Sequence, residues 1–440
     1  MNYRVTLKGN MASYIPLLLV MMRSNIGYDK DEFSYNELLM TPSSPVGLEA
    51  TSKDSTSHLA YLDGIRALAA IFVMMHHAML QVRPHTEPLT GWSQPAMVFY
   101  YGRYAVNVFI VLSGFCLMLP VLRNDGFLRG GALNFLKRRA WRILPPYYLA
   151  IGFSLLLITT LIHDKTGTHW DVSIPVTARS VTAQMLLLGS GFGEGLKINH
   201  VFWSISVEWW IYFLFPLLVL GWQRWGPFYV TGVTCVASSG LLFWVLRFTG
   251  LYLSVHYLGL FALGMLAASF AFPAMMLRSF HVPQMAQHWR VFFWTLMTIL
   301  FSLVVAVVSL VPLWHGKLLP PFIADYCVGV WACCLLIMTA AQDQNYFTRF
   351  FSWKPLVFVG TFAYSLYLIH APLLQVLWQY PFASLQPNPR AMFVALTCVG
   401  IPLITGVAYG FFLLCERPFL LRGRQKRQSI AVSTPVEPAS

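Results

Sequence analysis

The chain has 440 residues, of which 57% are hydrophobic and only 11% are charged. So little charge cannot cover the surface of water-soluble domains of this total size, which excludes a set of soluble globules. The net charge of +13 does not indicate a nucleic-acid-binding protein, because Lys and Arg gather in alternate loops between apolar runs. The composition predicts a polytopic helical membrane protein.

Residues 1–57 are predicted to be a disordered extension. The run LKGNMASYIPLLLVMMRSN has a basic start and a short apolar stretch, loosely like a signal peptide. It lacks a convincing cleavage site and is too short to span a bilayer, and a polar segment follows it. A functional extension and a misassigned start codon, with Met40 as one alternative start, are both open interpretations.

Apolar runs of about 20 residues, the length that crosses about 30 Å of hydrocarbon, predict an all-α bundle of about ten transmembrane helices. Their approximate bounds are 61–81, 97–119, 144–163, 202–222, 228–246, 252–272, 291–313, 321–341, 356–378 and 391–415. The transmembrane domain is expected to cover residues 58–418, and a basic cytoplasmic tail to follow at 419–440.

Basic residues concentrate in the loop after the second span and in the tail. An even number of predicted spans separates these two segments, so they lie on one side of the membrane, which the positive-inside rule assigns to the cytoplasm. Both termini are then cytoplasmic. The longest loop on the opposite side, 164–201, contains His169, Trp170 and His200. Its length favours the interpretation that it forms a lid, which would cover an outward-facing cleft.

The first span, LDGIRALAAIFVMMHHA, carries Arg66 and His77 eleven positions apart. At about 100° per residue both side chains point in nearly the same direction, about 16 Å apart along the helix axis. Asp63 lies near the same line, whereas His76 is turned away. A charge inside a span costs about 2.5 to 3.5 kcal/mol, so these residues indicate a function. The alternative is an Arg that reaches the head groups and a His bonded to a neighbouring carbonyl.

Arg139 and Arg142 lie three positions apart in KRRAWRILPPYYL and hence on one helical face. Pro145 and Pro146 are predicted to open the third span just after them. Because Arg66 is expected near the same membrane face, the three guanidinium groups could meet and bind phosphates. Ordinary positive-inside anchoring is the alternative.

Further polar residues interrupt later spans. Glu208, with Ser204 one turn before it, lies in the outer part of the fourth span, and His370 lies in the outer half of the ninth. Each could instead make a structural hydrogen bond to a neighbouring helix. The seven cysteines have neither disulfide nor metal-ligand spacing, and no metal site is predicted.

These motifs resemble, in order, those of the acyltransferase-3 family of integral-membrane O-acyltransferases. The segments are LDGIRALAAIFVMMHHA, VFIVLSGF, KRRAWRILPPYYL, WSISVEWWIYFLFP, AYSLYLIHAPLL and the closing CERPF, and they cover about 61–418. The resemblance implies acyl-CoA, by default acetyl-CoA, as co-substrate, with no permanently bound cofactor. It also implies a hydroxyl acceptor on a carbohydrate, lipid or metabolite, essential roles for Arg66 and His77, and donor handling by Arg139 and Arg142.

The chain departs from the family pattern at two positions. Asn107 stands where the family often has an acidic residue, and Trp209 follows Glu208 where the family often has a second glutamate. Both changes are expected to remove negative charge near the acceptor, so the acceptor of another member cannot be carried over.

The mechanism that follows has Arg66, Arg139 and Arg142 holding the phosphates of acyl-CoA. His77, kept neutral by burial, acts as general base on the acceptor hydroxyl and is oriented by Glu208. Asp63, Ser204 and His370 are further candidate site residues. An acyl-histidine intermediate is the competing mechanism. The competing functions are a transporter or proton-coupled carrier, since intramembrane Arg, His and Glu also form proton relays, and a membrane scaffold.

Overall fold

The computed structural model describes residues 54–83, 91–93, 95–251, 253–272, 287–315, 321–340 and 346–421. These residues form helices joined by turns and short loops, with no strand among them, which confirms the all-α prediction. The predicted extension at 1–57 lies outside the described residues up to position 53, and the predicted tail at 419–440 lies outside them from position 422.

The described α-helices are numbered here in chain order. They are α1 Asp54–Val82, α2 Ala105–Leu122, α3 Gly131–Leu157, α4 Ala178–Met185, α5 Phe202–Trp225, α6 Pro227–Thr249, α7 Tyr257–Ala271, α8 Gln287–His315, α9 Pro321–Ala340, α10 Tyr346–Phe351, α11 Lys354–Thr361, α12 Ala363–Gln379, α13 Pro389–Ala395 and α14 Ile401–Phe411. A 3₁₀ segment, Pro95–Tyr104, leads into α2, and π-helical turns extend α3 and join α13 to α14.

Seven helical segments of the described chain are long and apolar enough to cross a membrane, and the bent pair of α11 and α12 makes an eighth. The axes of that pair meet at 76°. The shorter apolar helix α7 and the apolar stretch Phe292–Ala306 of α8 lie where the sixth and seventh spans were predicted. Each predicted span therefore overlaps one or two helices, but seven or eight helical segments of the described chain, rather than about ten, are long and apolar enough to cross a membrane. The chain is an integral membrane protein.

The third span differs from its prediction at its start. The helix begins at Gly131 and continues through Pro145 and Pro146, which do not open it. Proline inside a helix frees the carbonyls one turn earlier, and here these belong to Trp141 and Arg142, both exposed residues. Exposed carbonyls can find other hydrogen-bond partners, so the helix tolerates the prolines and places the basic KRRAWR stretch on α3.

Close backbone contacts position α1 in the bundle, where it packs against Pro95–Tyr104, α2, α11 and α12. A Cβ at Gly64 would lie 1.8 Å from the Phe351 carbonyl oxygen, and one at Gly360 would lie 2.0 Å from that of Asp63. Only glycine permits such an approach, as is usual where transmembrane helices meet at small residues. The half of α1 that carries Arg66 is therefore held directly against α10 and α11.

The helices farther from α1 are more exposed. On α6 the large apolar side chains Val236 and Phe243 are 75% and 66% exposed. In a membrane such side chains contact lipid tails, which are as apolar as they are. The polar residues of the candidate site lie instead on α1, α2, α3, α5 and α12.

Candidate active site

Four imidazole rings meet at one end of the bundle, and we call them the histidine cluster. They are His77 on α1, His370 on α12, and His169 and His200 from the loop that joins α3 to α5. The His77 ring centroid lies 5.0 Å from that of His370, 4.8 Å from that of His200 and 6.3 Å from that of His169. Across the part of the chain that the structure describes, no group of His, Cys, Asp and Glu residues has a geometry that could hold a metal ion.

The hydrogen bonds of the cluster assign the protons of two rings. His370 Nδ1 lies 2.8 Å from the Tyr367 carbonyl oxygen, which can only accept, so Nδ1 carries the proton. In the neutral ring, Nε2 of His370 is then an acceptor, and it lies 2.8 Å from Nδ1 of His77. His77 therefore donates from Nδ1 and keeps an unprotonated Nε2, the arrangement that a general base requires.

The loop of His169 is tied to the membrane helices through Gln375, a fully buried residue of α12. The Gln375 amide oxygen accepts hydrogen bonds from Gln81 and, at 2.9 Å, from the Thr168 hydroxyl. Its amide nitrogen donates to the Thr166 hydroxyl at 3.0 Å. This network holds the residues next to His169 against α1 and α12.

His200 is fixed by its neighbours at the other end of the same loop. The side chain of Asn199 donates to the Leu368 carbonyl oxygen at 3.0 Å, and His200 Nδ1 lies 3.1 Å from the Ser173 hydroxyl. Burial, and next the nearby His169 ring, hold the pKa of His200 well below its ordinary value. The loop that was predicted as a lid thus contributes two of the four rings of the histidine cluster.

Arg66 lies toward the other end of α1 and makes two side-chain hydrogen bonds. Its guanidinium group donates to the Asp63 carboxylate at 2.5 Å and to the Cys116 sulfur at 3.2 Å. Asp63 is one turn away on the same helix, so this pair fixes the guanidinium group beside α2. Both Arg66 and Asp63 are about 30% exposed, so the pair is open to a ligand.

The three predicted arginines, which we call the arginine cluster, meet only in part. The Arg139 guanidinium carbon lies 5.9 Å from the Tyr212 ring centroid, and Arg139 and Arg66 both interact electrostatically with Tyr212. Arg142 is exposed and interacts electrostatically with the buried Glu416 of the CERPF motif. The structure therefore places Arg139 beside Tyr212 and within electrostatic range of Arg142, while Arg66 lies at the Asp63 and Cys116 side chains and interacts more weakly with the same tyrosine.

Glu208 lies with the arginine cluster. It accepts hydrogen bonds from the Ser113 hydroxyl, at 3.0 Å, and from the Tyr212 hydroxyl, and it interacts electrostatically with Arg139. The sequence-based prediction made Glu208 the residue that orients His77. In the structure that hydrogen bond comes from His370, because Glu208 lies one helical turn beyond the part of α5 that faces the histidine cluster.

Ser204 lies on that part of α5. Its hydroxyl is 2.7 Å from the Tyr367 hydroxyl, and the Tyr367 ring lies 5.7 Å from the His370 ring. The two predicted residues of α5 thus belong to different neighbourhoods. Ser204 faces the histidine cluster and Glu208 faces the arginine cluster.

The surroundings of Asn107 correct one expectation. Asn107 is fully buried and donates at 3.0 Å to the carboxylate of Asp325, from α9. The other oxygen of that carboxylate lies 3.0 Å from His256 Nε2. Negative charge was expected to be missing at this point of the second span, yet the structure contains a carboxylate there, contributed by a different helix.

Sequence reasoning missed two members of the site, His169 and His200. Both were noted as residues of the long loop but were given no role, because a loop has no periodicity that predicts which side chains face a helix. The available signal was their position near the two ends of a loop, since the ends of a loop lie next to the helices that it joins.

Comparisons with known proteins agree with this architecture. The sequence matches the acyltransferase-3 family, described as an acyltransferase domain, over residues 59–411. It is similar to a peptidoglycan O-acetyltransferase of Listeria monocytogenes, with 25% identity over 343 residues, which are 74% of this chain and 51% of that protein. No solved structure matches the chain.

Two further relatives extend the comparison. An O-acetyltransferase of Staphylococcus aureus is 25% identical over 73% of this chain and 51% of its own length. Nodulation protein 10 of Rhizobium leguminosarum is 28% identical over 44% of this chain and 53% of its own length. The chain thus spans about half the length of the curated relatives it matches. Because the family match covers most of its residues, the chain belongs to the acyltransferase-3 family.

Proposed function

We propose that the chain is a membrane-embedded O-acyltransferase, which moves an acyl group, by default acetyl, from acyl-CoA to a hydroxyl group of a carbohydrate or glycosylated acceptor. The observation that carries the proposal is the hydrogen-bonded series from the Tyr367 carbonyl through His370 to His77. It leaves His77 with a free basic nitrogen at a partly buried position inside the bundle.

His370 here does what an orienting carboxylate does in a hydrolytic triad. It holds the imidazole of the base in one tautomer and one direction. Because His370 is fully buried and its Nδ1 proton is committed to a main-chain carbonyl, its Nε2 can only accept. His77 Nε2 is therefore directed away from α12, toward the space in which an acceptor hydroxyl would lie.

The arginine cluster suits the donor. Guanidinium groups bind phosphate oxygens through paired hydrogen bonds. Arg139 interacts with both Tyr212 and the exposed Arg142, and Arg66 interacts with the same tyrosine. Arg66 and His77 share α1 and are about 16 Å apart along its axis. A donor with phosphates at one end and a thioester on a long flexible arm is the kind of molecule that reaches both.

The distribution of charge supports the proposed topology, and the names of the relatives support the proposed class of acceptor. The positive-inside rule places the arginine cluster and both termini on the cytoplasmic side, where acyl-CoA is available, and the histidine cluster on the opposite side. Two relatives are named as O-acetyltransferases, one of them of peptidoglycan, which supports a carbohydrate acceptor presented at that face.

The proposed reaction needs only the acyl-CoA, the acceptor hydroxyl and His77 to account for every proton and bond. The acceptor hydroxyl gives its proton to His77 Nε2 as its oxygen forms a bond to the thioester carbon. The carbon–sulfur bond then breaks, and the CoA thiolate takes the proton from His77. The free Nε2 would equally serve an acyl-histidine route, in which the same atom forms the bond to the acyl carbon. Kinetics decide between the two, since only the second route is ping-pong.

The test is CoA release from acetyl-CoA by the purified full chain, with and without a carbohydrate acceptor. His77→Ala should lower kcat about 1,000-fold, within the range that general base catalysis contributes, and leave acetyl-CoA binding unchanged. Arg66→Ala should weaken that binding. His163→Asn is the matched control, because His163 is an exposed loop histidine with a positive φ of 54° that asparagine also adopts, and it should behave as the wild type.

Two results would overturn the proposal. Normal turnover by His77→Ala would show that His77 on α1 has a structural role and is not the catalytic base. A wild-type protein that binds no acyl-CoA would favour the transporter, which should then move solute across proteoliposomes in a manner that depends on Arg66 and His77.

A further inference from the structure

One nitrogen of the histidine cluster has no role in the mechanism above. His200 is 6% exposed, and its Nε2 atom is buried without a hydrogen-bond partner in the part of the chain that the structure describes. Its ring lies edge to face against His77, with centroids 4.8 Å apart. A buried polar atom without a partner costs about 1 to 3 kcal/mol, so its place beside the catalytic base requires an explanation.

The hydrogen bonds around Ser173 show what this nitrogen offers. The main-chain N–H of His200 donates to the Ser173 oxygen at 3.2 Å, so the Ser173 hydroxyl proton is free to point at His200 Nδ1, 3.1 Å away. In the tautomer in which that hydroxyl donates, Nδ1 is the acceptor and the proton of the neutral ring is on Nε2, and we assign this tautomer to His200. His200 therefore presents an N–H donor, and the burial that lowers its pKa keeps the ring neutral.

A second donor lies in the same wall. Trp170 is fully buried, and its ring centroid lies 5.7 Å from that of His200. Its Nε1–H, which can only donate, also has no partner among the described residues. His200 packs against the base and Trp170 packs against His200, so the two side chains offer adjacent buried N–H groups without acceptors among the described residues. Such donors suit a site where negative charge develops on an oxygen atom.

We propose that His200 Nε2–H, with Trp170 Nε1–H beside it, binds the carbonyl oxygen of the acyl group and stabilises the oxyanion that forms when the acceptor attacks. The assignment rests on the proposed function and adds the group that polarises the reacting carbonyl. As the acceptor oxygen bonds to the carbonyl carbon, the C=O electron pair moves onto its oxygen, next to these donors. When the carbon–sulfur bond breaks, the carbonyl re-forms.

The experiment compares His200→Phe with His200→Gln in the full-length chain. Phenylalanine keeps a ring but has no N–H, whereas glutamine places an amide N–H near the position of Nε2. Loss of one oxyanion donor costs about 100-fold or more in kcat. We expect that loss for His200→Phe, an unchanged KM for acetyl-CoA, and recovery of at least part of kcat in His200→Gln. The melting temperatures of the two variants show whether either loses the fold.

Each alternative outcome has one meaning. A His200→Phe variant with the kcat of the wild type overturns the oxyanion assignment while the proposed function stands. Equal losses of kcat in both variants also overturn it, since a donor would then be irrelevant and His200 would act through packing. A wild type that releases no CoA overturns the proposed function itself, and this assignment with it.

Discussion

The histidine cluster and the arginine cluster share one helix but are organised by different physical means. At the histidine end, His77 and His370 are neutral rings joined by a hydrogen bond, and the bond from His370 to the Tyr367 main-chain carbonyl fixes the direction of both. At the arginine end, Arg66 and Arg139 are charged groups, partly exposed and surrounded by Asp63, Glu208 and tyrosine. The difference suits a site in which one end must direct a proton and the other must attract a polyanion.

The arginine end should respond to mutation through binding. Arg139→Ala should raise KM for acyl-CoA about 30- to 100-fold, since a hydrogen bond to a charged group contributes about 1.5 to 3 kcal/mol, and leave kcat nearly unchanged. Arg138→Ala is the matched control, because Arg138 is the preceding residue on the same helix and is exposed. Initial-rate kinetics over a range of acyl-CoA concentrations distinguish the two. An equal rise in KM in both variants would show that the arginine cluster acts only through its overall positive charge.

The histidine end should respond in the opposite way. His370→Leu removes the acceptor that fixes His77 in one tautomer, so we expect kcat to fall about 10- to 30-fold with KM for acyl-CoA unchanged, because orientation is only part of what a general base contributes. The contrast between the two ends would be contradicted if His370→Leu raised KM for acyl-CoA and left kcat unchanged. His370 would then contact the donor rather than the base.

The smallest expected effect tests how the loop is held over the histidines. Gln375→Leu leaves Gln81 and the Thr168 hydroxyl without their shared acceptor, which should lower kcat about threefold and speed amide hydrogen exchange in residues 166–169. Gln386→Leu, at an exposed position after α12, is the control. Unchanged exchange in Gln375→Leu would show that packing alone, through Trp170, holds the loop.

Much of this architecture could be predicted from the sequence because membrane spans follow simple rules. Apolar length locates the helices, and the eleven-residue spacing of Arg66 and His77 places them on one side of α1. The boundary at Pro145 was wrong because a proline signal says nothing about whether exposed carbonyls can find other partners. Hydropathy likewise could not reveal that the ninth span bends by 76° between α11 and α12.

The pairings within the site could not be predicted. His77 and His370 are 293 positions apart, and nothing in either segment identifies the other as its partner. Glu208 was predicted to orient His77, yet one helical turn of α5 separates Ser204, beside the histidines, from Glu208, beside Arg139. Side-chain pairs across helices depend on rotation and depth, which hydropathy does not measure.

The position of Arg66 and His77 on one helix has a consequence for which thioesters can react. Because both residues belong to α1, the rise of that helix fixes their separation, and no movement of one helix against another can shorten it. The helix therefore sets a minimum length for the donor molecule of about 16 Å between its phosphates and its reacting carbon. A short thioester that lacks the nucleotide part of CoA can occupy the histidine end but cannot reach both ends at once. Its rate of reaction should therefore be the same in the wild type and in an Arg66 variant.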